Sequence, residues 1–155
     1  DLLPVMIFRR STGQVREITL SRERSAPCWS PDGREIAFHD GHCLKVISSL
    51  GGESRQLVCA PKEESDPDAP IGSVGKIAWS PNGRMLAWTV LNWAQRRVDV
   101  WIVDYFSGRH VEWPGEANYN SWPASLQWSP DGKQIAFERR YLRKAEIWKL
   151  SNFLP

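Results

Sequence analysis

One five-residue stretch recurs three times: Trp29-Ser30-Pro31-Asp32-Gly33, Trp79-Ser80-Pro81-Asn82-Gly83 and Trp128-Ser129-Pro130-Asp131-Gly132. A period of about fifty residues marks a stacked array of one supersecondary unit, each burying its apolar face against the next. The register extends past the turn. Seven to nine residues after each Trp stand Ile36-Ala37-Phe38, Leu86-Ala87-Trp88 and Ile135-Ala136-Phe137, without a gap in any copy. A second apolar run follows in each unit: 44–47, 98–103 and 147–150. A Gly turn comes next in the first two copies, Gly51-Gly52 and Ser107-Gly108, and then a short run, 55–58 and 109–113. Residues 4–9 and 15–20, joined by Ser11-Thr12-Gly13-Gln14, repeat only the second half of a unit.

Each unit therefore reads as four short antiparallel strands. In the signature turn Pro presets φ, Asp or Asn tolerates the bridge region, and Gly accepts a positive φ. The runs are rich in Ile, Val, Phe and Trp, which suit a pleated surface. Runs such as Val100-Trp101-Ile102-Val103 lack alternation, so both faces of the sheet are covered. A helical reading fails, because no window of about a dozen residues keeps a 3.6-residue period without meeting Pro or Gly. The repeat Trp residues, Trp29, Trp79 and Trp128, are expected to pack between units, since aromatic side chains dominate core burial. The fold predicted is all-β: propeller blades of four antiparallel strands, about three blade-equivalents forming a partial propeller. Residues 1–24 are the end of a blade, 25–60 a blade, 74–114 a blade, and 124–155 a last blade lacking its outer strand.

The pattern Trp-Ser-Pro-Asp-Gly-(Lys/Arg)-x-Ile-Ala-Phe, followed by an apolar strand and a Gly turn, resembles the TolB-like, WD40-like β-propeller repeat over residues 4 to 150. Asn82 and Trp88 are departures compatible with the same turn and pocket. The resemblance implies a rigid scaffold that takes protein or peptide partners in a bacterial, periplasmic setting. It also admits the gating propeller of a prolyl-oligopeptidase-type serine peptidase whose catalytic domain lies elsewhere, or a metal-assisted enzyme built on the propeller. Propellers close with four to eight blades, so the chain is read as the C-terminal part of a larger ring, with assembly of several copies as the alternative. Its terminal blades would expose apolar faces open to self-association.

Composition narrows the partners. Lys and Arg exceed Asp and Glu by two, too little to argue for nucleic acid or an anionic membrane. No run of about 18 apolar residues is present. No nucleophile elbow, P-loop or dinucleotide fingerprint occurs, and no cofactor is expected. His39 and His42, three apart in a polar stretch with Asp40 and Cys43, are weak metal candidates. Cys43 and Cys59 fall on adjacent strands, so a cross-strand disulfide is possible, but buried reduced thiols are the expected state.

The Ser-Pro-Asp-Gly turns are short and uniform, which marks their face as structural: Trp29, Pro31, Asp32, Gly33, Trp79, Pro81, Asn82, Gly83, Trp128, Pro130, Asp131 and Gly132 are assigned to the scaffold. The opposite face carries irregular loops and the inter-blade links 60–75 and 114–124, and binding usually lies on variable loops of a rigid scaffold. Trp93, Arg96, Arg97, Tyr119, Trp122, Arg139, Arg140, Tyr141 and Arg143 are the expected partner contacts, Arg and aromatic residues being enriched at binding hot spots.

Overall fold

A computed structural model describes residues 2–22, 26–61, 75–115, 120–141 and 145–151, the last segment and residue 141 by backbone alone. Every regular element among them is a strand, and every pairing is antiparallel. Strands β1 (Leu3–Arg9) and β2 (Gln14–Ser21) form a two-stranded sheet, here blade I. Blade II runs in order through β3 (Cys28–Trp29), β4 (Glu35–Asp40), β5 (Cys43–Ser48) and β6 (Arg55–Cys59). Blade III does the same with β7 (Ile77–Trp79), β8 (Met85–Asn92), β9 (Arg97–Asp104) and β10 (His110–Trp113). Blade IV has β11 (Ser121–Trp128), β12 (Gln134–Tyr141) and β13 (Ala145–Ser151). These are the meandering sheets of a partial β-propeller.

The three signature turns share one hydrogen-bond circuit. In the first, Ser30 Oγ donates to Asp32 Oδ1 (2.6 Å) and accepts from the amide of Glu35 (2.9 Å), while Asp32 Oδ1 also accepts from the amide of Arg34 (3.1 Å). Asn82 does the same through its amide oxygen, with Ser80, Arg84 and Met85. Asp131 repeats it with Ser129, Lys133 and Gln134. Because only the acceptor oxygen matters to this circuit, Asn replaces Asp without altering the turn. The glycines sit at φ of 71°, 75° and 70°, where any Cβ would be strained.

Apolar residues on both faces of each sheet meet the next blade. Between blades I and II lie Val5, Ile36, Phe38 and Ile47. Between II and III lie Leu44, Val46, Trp79, Leu86, Trp88, Trp101 and Val103, the largest cluster among the described residues. Between III and IV lie Ala78, Val100, Ile102, Trp128 and Ile135. Burying such a side chain fully stabilises by about 1.5–3 kcal/mol, so among the described residues the interface of blades II and III carries the most stabilisation. Here Trp88 meets Trp101 edge-on at 5.7 Å, and Trp101 stacks on His110 at 3.8 Å. Trp128 donates its indole N–H to the Ala78 carbonyl of the preceding blade (3.0 Å), satisfying the polar end of a buried ring.

Two backbone features shape the rims. The pairing of β11 with β12 slips between Pro123 and Ser125. Pro123 lacks an N–H and is tolerated at this bulge in an edge strand. Gly108 (φ 69°) comes so close to blade II that a Cβ there would clash with the Leu57 carbonyl oxygen. The turn after β9 therefore needs glycine for packing as well as for conformation.

Candidate functional site

Strand direction alternates within each blade, so the β4–β5, β8–β9 and β12–β13 connections emerge at one end of the sheets, and the signature turns at the other. At the first end a hydrogen-bonded feature is built around Asp99 of β9. Its side chain is buried, with 1% of its surface exposed. Such a carboxylate needs partners, and it has three: Arg97 Nε (2.7 Å), Asn92 Nδ2 (3.0 Å) and the amide of Gly115 (2.8 Å). Gly115 packs so tightly on β9 that a Cβ would clash with the Val98 carbonyl. Asp99 thus ties both ends of the β8–β9 loop to the link leaving blade III. Within this loop Gln95 N donates to Asn92 Oδ1 (3.2 Å), and Arg96 N donates to the Trp93 carbonyl (3.1 Å). Arg96 is exposed and held at a φ of 50°, the one described non-glycine residue with positive φ.

The expected contact residues divide accordingly. Arg96 is exposed and Trp93 half-buried on the latched loop, while Arg97 is turned inward onto Asp99. In blade IV, Trp122 pairs with Arg140 across β11 and β12. Arg139 Nε donates to Ser121 Oγ (3.0 Å), and Arg140 Nε to Glu138 Oε1 (3.1 Å). Tyr141 ends β12. Tyr119 and Arg143 lie outside the described residues. The blade III residues and the blade IV residues thus form two local groups at the same end of the molecule.

His39 and His42 part company. His39 is buried, 6.1 Å from the Trp88 ring. Burial holds its imidazole below the ordinary range, against the opposing charge of Asp40. Asp40 is occupied too, accepting from Lys45 Nζ (2.6 Å) and the Arg22 amide (3.0 Å). Burial raises its pKa, but these donors and the charges of Lys45 and Arg22 outweigh that and leave it lowered. His42 is exposed on the connecting turn and is grouped instead with Cys43 and Cys59, the donor atoms all within 4.8 Å of one another. The cysteines correct the expectation of reduced thiols: Cys43 and Cys59 face each other in the β5–β6 register and are disulfide-bonded. The remaining thiol, Cys28, is half-buried and pushed up in pKa by desolvation, against a hydrogen bond involving the Trp79 backbone.

The face assigned to the scaffold holds more than turns. A cleft of about 550 Å³ opens between the signature turns of blades II and III, lined by Pro31, Glu35, Trp79, Pro81, Tyr105 and Phe106 among others. Tyr105 crosses it from blade III and donates to Glu35 Oε2 of blade II (2.6 Å). Burial and this bond push the phenol's pKa up, against Arg55, whose guanidinium sits 4.7 Å over the ring. Phe106 beside it is 75% exposed. The sequence signal was there in the copies themselves. The position of Glu35 holds Met85 and Gln134 in the other units, and the position of Tyr105 holds Ser49 in blade II.

No protein-family model matches the chain. Over 92 residues, 56% of this chain, it is 37% identical to a Bacillus subtilis (strain 168) protein named uncharacterized peptidase YuxL, and it spans 12% of that relative's length. Among solved structures, TolB from Acinetobacter baumannii matches with a TM-score of 0.70 at 14% identity, over 94% of this chain and 34% of that one. The β-propeller domain of the trilobed protease from Pyrococcus furiosus matches with a TM-score of 0.60 at 17% identity, over 97% of this chain and 47% of that one. These likenesses show the fold: a TolB-like β-propeller, of which the chain makes a part.

Proposed function

We propose that the chain is a non-catalytic propeller scaffold that binds a protein or peptide through its irregular loop face. Trp93 and Arg96 on the latched loop and Trp122, Arg139 and Arg140 in blade IV are the proposed contacts, with Arg97 orienting the loop and Tyr119, Tyr141 and Arg143 extending the surface. The observation that carries this reading is the Asp99 latch. A buried carboxylate with three donors fixes the loop before any partner arrives, and a pre-ordered loop loses little entropy on binding. Photo-crosslinking in cells tests it. A benzophenone side chain at Arg96 or Arg140 is expected to trap a discrete partner, and one at Pro31 on the opposite face to trap none. Crosslinks from Pro31 alone would remove the assigned face.

A second reading rests on the 37% identity to a protein named as a peptidase. In it the same blades gate substrate access to a catalytic domain on the same polypeptide. The two readings separate on the gene: a hydrolase domain with a Gly-x-Ser-x-Gly elbow in the same reading frame favours the second.

A further inference from the structure

The geometry points to a redox-gated zinc site formed by His42, Cys43 and Cys59. Cys43 opens β5 and Cys59 closes β6, directly opposite each other in the pairing of these strands. The amide of Ala60 donates to the His42 carbonyl (2.8 Å), so the backbone holds the third residue against the same pair. Three donor atoms thereby lie within 4.8 Å of one another. Two thiolates and one imidazole are a zinc ligand set, and three protein ligands leave the fourth tetrahedral position to water or an incoming ligand. His42 is exposed, which gives the ion a way in. The nearby cation Lys45 is matched by Asp40 at 2.6 Å, which offsets its repulsion of an arriving dication.

In the disulfide form the sulfurs carry no charge and only His42 can ligate. A phosphine reductant changes that. It transfers two electrons to the S–S bond, which breaks; each sulfur takes a proton from water, and the phosphine leaves as its oxide with the remaining oxygen. Zn²⁺ then displaces the two thiol protons and binds both thiolates. His42 and Cys43 are neighbours in sequence, and Cys59 joins them through the pairing of β5 with β6.

The test uses the whole 155-residue chain, oxidised or reduced with a phosphine, desalted and titrated with Zn²⁺ against a chromophoric chelator. Reduced protein is expected to take up one Zn²⁺ per chain and oxidised protein none. Cys43→Ser and Cys59→Ser, under the same reducing conditions, should abolish uptake. His42→Ala should weaken it by about tenfold or more, and Cys28→Ser should leave it unchanged. Co²⁺ in place of Zn²⁺ should give thiolate charge-transfer absorption together with the intense visible bands of a tetrahedral site. Far-ultraviolet circular dichroism of the reduced, metal-loaded chain should match that of the oxidised chain, and loss of the sheet signal would overturn the proposal. It would equally be overturned if reduced wild-type protein bound no more metal than the Cys43→Ser variant, or if His42→Ala bound as tightly as wild type.

Discussion

Trp29, Trp79 and Trp128 stand at the same place in three copies of one motif, yet Trp79 is 8% exposed, Trp128 is 7% exposed, and Trp29 is 49% exposed. The turns that follow them share the same Ser–Asp/Asn circuit, and Trp79 adds an indole N–H bond to the Gly83 carbonyl (3.0 Å). What differs is the neighbour. Trp79 packs among Leu44 and Val46 of blade II, and Trp128 among Val100 and Ile102 of blade III. Before Trp29 the described chain offers only the two strands of blade I. The motif therefore specifies a turn, and the preceding blade decides whether its Trp becomes core. Trp29 and, on blade I, Phe8 (63% exposed) are thus large apolar side chains left in water.

The sharpest way to break this comparison is to truncate each Trp in turn. Trp79→Ala is expected to cost about 3–5 kcal/mol, as for other large-to-small changes in a packed core. Trp29→Ala should cost well under half of that, because half its surface is already in water. Urea unfolding midpoints read the difference, and equal costs would mean that the neighbour does not set burial. Next in size is the latch at the rim. Asp99→Ala strips three donors of their acceptor and leaves Arg97 uncompensated, at a cost of about 3 kcal/mol. Faster amide exchange at Gly115 and in residues 92–97 should accompany that loss.

Reduction of the Cys43–Cys59 bridge, with a sequence separation of 16, should lower stability by about 3 kcal/mol in the loop-entropy picture, and calorimetry of oxidised against reduced protein measures it. The smallest effect distinguishes the turns from one another. The Ser30 hydroxyl first, then the Arg34 amide, hold the Asp32 carboxyl below its ordinary 3.8, and Ser129 and Lys133 do the same for Asp131. A group whose pKa is depressed on folding contributes its full stability above the unfolded value and loses it as pH falls through the folded one. Asn82 makes the same bonds and does not titrate. The double variant Asp32→Asn with Asp131→Asn should therefore lose stability less steeply below pH 3.8 than the wild type, as read from urea midpoints across that range. An unchanged acid limb would show that these turns add nothing to acid sensitivity.

The strands and signature turns could be read from the sequence because their determinants are local. Ser30, Asp32 and Gly33 act within five residues, and the run Ile36-Ala37-Phe38 follows at a fixed offset. What could not be read is what different blades do to one another. The Tyr105–Glu35 bond joins residues 70 apart, and Asp99 meets Gly115 across a strand and a turn. Nothing local to Trp29 marks it as different from Trp79. The expected rim was legible as residue types but not as partners: Arg97, chosen as a contact, spends its guanidinium on Asp99. The cleft beside Glu35 is not visible in the uniform turns, because the variation lies just after the turn, at Glu35, Met85 and Gln134.

The measurement that bears most directly on this account is solvent exposure of the three motif tryptophans in one sample. With 5-fluorotryptophan incorporated and resonances assigned through Trp29→Phe, Trp79→Phe and Trp128→Phe, a soluble gadolinium chelate should broaden the fluorine signal of Trp29 and leave those of Trp79 and Trp128 sharp. Equal broadening of all three, or protection of Trp29 in monomeric protein, would contradict the claim that the preceding blade decides which copy of the motif is buried.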